Sequence, residues 1–160
     1  MTCAAIARAN RTPQIKDEEW VRVVDMNIYG TSVGCQASLA RMVARGSGHI
    51  VCVASDAGKR GGGGLIADAA YAASKAGVLS LVKSLAREYA GRGVSINALT
   101  PGPTDTTMHA RVSAELNAKM APSSPVGRMG HADALAATVG FLCSPAARFI
   151  NAARLQFADC

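Results

Sequence analysis

Tyr71 and Lys75 stand four residues apart, with Ser55 upstream and Asn27 further back. Residues at i and i+4 project from one face of a helix, so the Lys75 ammonium can stand beside the Tyr71 phenol and stabilise its ionised form. A free tyrosine has a pKa of about 10, and a cation within about 4 to 6 Å draws it toward the range where proton transfer at neutral pH is efficient. The spacing by itself is common, and a packed Tyr beside a solvated Lys is its ordinary meaning. Position adds weight to the chemical reading. Residues 50–54, Ile-Val-Cys-Val-Ala, form a short continuous apolar run rich in β-branched side chains, which predicts a strand buried on both faces. Ser55 follows at its carboxyl end, the edge where ligands bind in open parallel α/β sheets.

The elements that would carry these residues alternate between helix and strand, which predicts an α/β fold with parallel strands. A helix is expected from 17 to about 27, opened by Asp17, Glu18 and Glu19 at its positive end, and a second from about 30 to 45, closed by Gly46-Ser47-Gly48. The stretch 56–68 contains four consecutive glycines and is expected to be a loop. A long helix over 69–89 carries Val78, Val82, Leu85 and Tyr89 on one stripe, and Gly91 lies beyond its end. Further expectations are a strand at 94–99 broken by Pro101-Gly102-Pro103, short helices over a pocket within 104–124, a helix at 132–143 and a last strand at 153–157. The glycine run is not a phosphate loop: Lys59 precedes the glycines, and neither a Ser/Thr nor an immediate helix follows. Lys59 or Arg60 is placed to contact an anionic substrate from this loop.

Composition narrows the function classes. At 160 residues the chain reads as one domain or a piece of one. No apolar run reaches the roughly 18 residues of a membrane span, and the first ten residues lack the apolar core of a signal peptide, so a cytoplasmic location is the expectation. Cys3, Cys35, Cys52, Cys143 and Cys160 are scattered and form no Cys-x-x-Cys pair, which argues against a disulfide framework or a zinc site. His49, His109 and His131 show no ligand spacing and are read as loop or helix-terminus residues. No metal is expected. The net charge of +6 comes from arginines spread from Arg8 to Arg154 without interleaved aromatics, a pattern of solvated faces rather than of nucleic-acid binding.

Asn27, Ser55, Tyr71-Ala72-Ala73-Ser74-Lys75, Asn97 and Pro101-Gly102 occur in the order and approximate spacing seen in the short-chain dehydrogenase/reductase family, and the chain resembles that family from about Cys3 to Asp159. The resemblance implies the C-terminal portion of a doubly wound, parallel Rossmann-type sheet in a single partial domain over 1–160. It implies hydride transfer between NAD or NADP and a secondary alcohol or ketone. Tyr71 would be the acid/base, Lys75 would lower its pKa and bond the nicotinamide ribose, and Ser55 would hold the reacting oxygen. Asn27 would support a water leading protons to Lys75. Pro101, Gly102 and Thr104 would face the nicotinamide, with Thr106 reaching its amide or the phosphates. Each residue also has a structural meaning: a capping Asn27, a turn-forming Ser55, a strand-ending Pro-Gly.

Two departures qualify the match. The family's opening strand, glycine-rich turn and helix have no counterpart: residues 1–6 fall where the family has Asn-Asn-Ala-Gly near its fourth strand, so the cofactor-binding half is expected to be absent and the chain alone is expected to bind cofactor poorly or not at all. Relatives also carry Gly after the Phe-Ile-x segment, where this chain has Ala152. The alternative to an enzyme is therefore a non-catalytic remnant or an assembly subunit. In either case the family implies a homo-oligomer through the helices at 30–45 and 69–89.

Overall fold

The computed structural model describes residues 1–8, 10–62, 67–108, 114–122 and 124–158. His109, Cys160 and the glycines at 63 and 64 lie outside them. The main elements are α1 (Asp17–Val24), a π-helical turn (Asp25–Tyr29), α2 (Gly30–Arg45), β1 (Gly48–Val53), α3 (Ala57–Arg60), α4 (Ala69–Glu88), β2 (Val94–Pro101), α5 (Ala114–Met120), α6 (Ala132–Leu142) and β3 (Arg154–Phe157). The three strands form one parallel sheet in the order β1-β2-β3. The fold is α/β, a portion of a doubly wound parallel sheet.

Both faces of the sheet are covered, as continuous apolar strands require. On one face Ile50, Cys52 and Ala54 of the β1 segment and Val94, Ile96 and Ala98 of β2 pack against Cys35 and Leu39 of α2 and Val78, Val82 and Ala86 of α4. On the other, Val51 and Leu99 meet Leu142 and Ala147, with Val139, Leu155 and Phe157 alongside. The period-two alternation within a single strand thus feeds two cores. Beyond β1 the amino-terminal segment adds one parallel bridge: the Thr2 amide donates to the Val51 carbonyl (3.0 Å) and the Val53 amide to the Thr2 carbonyl (3.0 Å).

Three expectations change. There is no break between the first two helices: Gly30 keeps ordinary right-handed helical angles, and the chain runs through a π turn that contains Asn27. A single glycine weakens a helix by only about 1 kcal/mol, so packing of both flanks carries the helix through it. The 56–68 stretch is not loop throughout, because Asp56 caps Ala57–Arg60 by accepting from the Ala57 amide at 2.7 Å and pairs with Arg60 one turn on. Finally, His49 lies within β1, its Nδ1 2.8 Å from Ser95 Oγ on the neighbouring strand, whereas His131 caps α6.

Candidate active site

The carboxyl edge of the sheet gathers the candidate residues. Past β1, pairing with β2 continues: the Ala54 amide donates to the Leu99 carbonyl (2.8 Å) and the Asp56 amide to the Pro101 carbonyl (3.1 Å). Ser55 sits between these two bonds and is 8 % exposed, so its hydroxyl is fixed at the strand tips beside Pro101-Gly102. The Ser55 hydroxyl donates to Asp56 Oδ1 (3.1 Å) and accepts from the Ala57 amide (3.2 Å).

Helix α4 brings Tyr71 and Lys75 to the same edge. Its start is fixed by Asp68, whose Oδ1 accepts from the Tyr71 amide at 2.9 Å, a cap that aims the first turn. Close approach of α3 requires Gly58: a Cβ there would lie 2.6 Å from the Lys75 backbone carbon. The Tyr71 ring packs with Val23, Ala57, Ala67 and Ile6, and Lys75 Nζ lies over it, 5.7 Å from the centroid. Lys75, 3 % exposed, donates to the Val53 carbonyl at 2.8 Å.

The electrostatics differ from the expectation of an acidified tyrosine. Burial pushes the Tyr71 phenol above its ordinary value; the Ser55 hydroxyl beside it pulls the other way, and Asp56 and Cys3 add to the rise. Desolvation is the largest of these influences. Burial also draws the Lys75 ammonium down to about 8, against opposing contributions from Cys3 and Cys52.

Asn27 is fully buried and its side chain acts as a clamp. Its Oδ1 accepts from the Ile6 amide (2.9 Å), and its Nδ2 donates to the Ile6 carbonyl (3.0 Å) and to Ser74 Oγ (2.9 Å), next to Lys75. Its main-chain carbonyl accepts from Thr31 Oγ1 at 2.8 Å. At the β2 end, the Gly102 amide donates to Phe157 O (3.0 Å) and Thr104 Oγ1 to Gly102 O (3.0 Å), while Thr106 is exposed. Lys59 donates to Gln156 Oε1 at 3.2 Å, so of the two basic residues on α3 Arg60 is tied to Asp56 and Lys59 reaches toward β3.

Three side chains take roles that the sequence reading did not give them. Ser74 links Asn27 to the Tyr71 carbonyl, to which its hydroxyl donates at 2.7 Å. Cys3 lies near Tyr71 and Lys75 through folding of the amino-terminal segment, which no local spacing predicts. Asp56 forms the tightest polar group of the site, and its signal was an i,i+4 Asp-Arg pair directly after Ser55. A surface groove of about 630 Å³ along Asp17, Val21, Met26 and Gly30 shares no residue with this group. Among the described residues no three His, Cys, Asp or Glu side chains come together to hold a metal, and no helix is long and apolar enough to cross a membrane.

Comparison with known proteins identifies the family and the fold. A family model described as enoyl-(acyl carrier protein) reductase matches residues 1–158. The 3-oxoacyl-(acyl-carrier-protein) reductase FabG of Escherichia coli is 36% identical over 153 residues, covering 96% of this chain and 62% of the relative. That of Staphylococcus aureus is 38% identical over 148 residues, covering 92% and 59%. The crystal structure of a 3-oxoacyl-(acyl-carrier protein) reductase from Brucella melitensis superposes with a TM-score of 0.87 at 29% identity, over 97% of this chain and 58% of that one. The chain thus spans about 60% of the length of these relatives. With its parallel sheet and its Ser55, Tyr71 and Lys75 side chains at the strand tips, the chain belongs to the short-chain dehydrogenase/reductase family.

Proposed function

We propose that the protein serves reversible hydride transfer between a nicotinamide cofactor and a secondary alcohol or ketone, with Tyr71 as the general acid/base. The observation that carries this reading is the convergence of a buried tyrosine, a buried lysine and a serine hydroxyl at the carboxyl edge of a parallel sheet. The donor set suits the nicotinamide end of NAD or NADP: the Tyr71 and Lys75 groups, the backbone at Pro101 and Gly102, and the hydroxyls of Thr104 and Thr106. When bound, the cofactor supplies or accepts the hydride at carbon.

In reduction, the Ser55 hydroxyl turns its proton from Asp56 to the carbonyl oxygen, and the Tyr71 O–H proton passes to that oxygen as carbon gains hydride, giving a C–OH group. The phenolate left behind is stabilised by the Lys75 ammonium and regains a proton through Lys75, with Asn27 fixing Ser74 and the adjoining turn and supporting a water on that route. Tyr71 enters protonated at neutral pH because burial opposes its ionisation. The relatives are named for 3-oxoacyl groups on a carrier protein, so a 3-oxoacyl thioester is the first ketone to try.

Fluorescence titration of the purified chain with NADH and NADPH tests the cofactor step, and micromolar binding by the chain alone would rule out a non-catalytic remnant. Tyr71→Phe should then lower turnover by at least about a hundredfold, the range general acid catalysis supplies, while cofactor affinity stays within a factor of two or so. Residual turnover near wild type would remove Tyr71 from the assigned role.

A second reading, a non-catalytic assembly subunit, is favoured by the exposed apolar residues Val21, Met26, Tyr29 and Val33 along the outer side of α1 and α2. Failure of both cofactors to bind the chain, together with stable self-association, would favour it. In either reading a second copy of the chain packs on α2 and α4, whose outward positions Ala69, Ala73, Ala76 and Ser80 are small enough for close helix contact.

A further inference from the structure

We propose that Cys35 of α2 and Cys52 of β1 form a redox modification site, in which hydrogen peroxide closes the two buried thiols into a disulfide that staples the helix to the strand and a thiol reductant reopens it. Such a site is independent of the proposed hydride chemistry.

The two sulfurs lie 3.7 Å apart, one thiol hydrogen-bonded to the other, on residues 17 apart in the chain. Both are buried, in the core that α2 and α4 build on one face of the sheet. A disulfide holds its sulfurs about 2.05 Å apart, so closure asks for an approach of about 1.7 Å, the scale of small rotations about the two Cα–Cβ bonds. Burial by itself makes a thiol inert, and a lone buried cysteine is a small apolar filler. This pair differs because a resolving thiol is already in contact with the first, so that a sulfenic acid formed on either sulfur is captured as a disulfide before it oxidises further.

Thr2 stands at the outer edge of β1 beside both residues. It bridges to Cys52 through hydrogen bonds with Val51 and Val53, and a Cβ on Gly34, next to Cys35, would lie 3.1 Å from its Cγ2. A cover one residue wide, held by two backbone bonds, opens locally at far lower cost than the core beneath it. Hydrogen peroxide is scarcely larger than water and needs only such an opening. One thiolate attacks a peroxide oxygen and breaks the O–O bond, giving a sulfenic acid and hydroxide; the second sulfur then displaces the sulfenic hydroxyl as the S–S bond forms. The two thiol protons leave with the two oxygens as two waters, so both sulfurs are oxidised and the peroxide is reduced. Cys52 immediately precedes Val53, whose carbonyl accepts from Lys75 at 2.8 Å, and the staple therefore fixes the strand that anchors this lysine.

The test uses the wild-type chain and a chain carrying Cys3→Ser, Cys143→Ser and Cys160→Ser together, in which only the pair remains. Each is treated with hydrogen peroxide while folded, quenched with catalase, unfolded without reductant, alkylated and digested for mass spectrometry. In both chains most of the Cys35 and Cys52 peptides should be recovered linked to each other and unlabelled, and dithiothreitol should release them as alkylatable thiols. The oxidised chain should also unfold at a higher urea concentration than the reduced one, because the cross-link limits the unfolded chain, and Cys35→Ala in the same background should show no such rise. Alkylation of both thiols after peroxide and unfolding, sulfinic acid in place of the link, or a link that forms only in urea would each overturn the proposal. So would a urea midpoint that stays level or falls on oxidation. Should Cys35→Ala fail to fold, the peptide map of the other two chains decides by itself.

Discussion

Lys75 holds its charge in a place that resists it. Burial lowers its pKa to about 8, so above that pH the folded chain releases a proton that the unfolded chain keeps until near the ordinary lysine value. The unfolded state then binds more protons, and the free energy of unfolding rises with pH by roughly 1 kcal/mol per pH unit across that window. Wild type should gain stability relative to Lys75→Met between about pH 7.5 and about pH 9.5, measured by urea unfolding at both values. Equal pH slopes for the two proteins would mean that the ammonium is not desolvated by folding. Tyr71 acts with the opposite sign: its raised pKa keeps a proton on the folded chain above the ordinary tyrosine value, so its contribution is lost as pH climbs past that point. The i,i+4 pairing of these residues was legible in the sequence. The balance of forces on the phenol was not, because desolvation depends on Val23 and Ile6, which reach the ring from distant parts of the chain.

At the scale of elements, the return of the chain into β3 rests on Asn97. Its Nδ2 donates to the Ile150 carbonyl (3.0 Å) and its Oδ1 accepts from the Ala153 amide (2.9 Å), so a buried amide, together with Asn151 Oδ1 accepting from the Ile96 amide (2.9 Å), sets the segment before β3 against β2. Asn97→Ala should lower stability by about 2–4 kcal/mol, since two backbone groups lose their partner. Between them stands Ala152 with a φ of 58°, in the left-handed region that favours glycine. The family places Gly here, and Ala152→Gly should raise stability by about 0.5–1 kcal/mol, the side chain's steric strain being offset only partly by the extra unfolded-state freedom of glycine. Thermal unfolding of the two variants would show opposite shifts in Tm, and a stability loss in Ala152→Gly would contradict the strain. The helix and strand periods of these elements were readable beforehand. The π turn at Asp25–Tyr29 and the cap at Asp56 were not, since both arise from packing and side-chain bonds that periodicity does not encode.

The whole molecule leaves one helical side apolar and open. Tyr29 and Val33 are 66 % and 43 % exposed on adjoining turns, next to the groove along Val21 and Met26. Tyr29→Glu with Val33→Glu should leave the fold intact and lower the mass seen by light scattering to that of one chain; an unchanged oligomer would place the contact elsewhere. The same solvent map separates the thiols. Cys3 and Cys143 are exposed, whereas Cys35 and Cys52 face each other in the core with sulfurs 3.7 Å apart. Alkylation mapped by mass spectrometry should label Cys3 and Cys143 in the native protein and reach Cys35 and Cys52 only after unfolding. Early labelling of Cys52 would indicate that the edge of β1 opens readily.

The sequence by itself determined the class of fold, the identity of the strand before Ser55 and the shared helical face of Tyr71 and Lys75. These follow from local rules: a strand alternates every two residues, a helix repeats every 3.6, and an apolar run buried on both sides predicts helices on both sides. Tertiary structure alone decided which charges act on the phenol, that Asn27 ties the amino-terminal segment to α4, and that the Ser55 hydroxyl donates to Asp56. Those outcomes depend on distances between groups far apart in the chain or on the rotamer of one carboxylate, and electrostatic energies change steeply with separation and burial, quantities that exist only once the chain has folded.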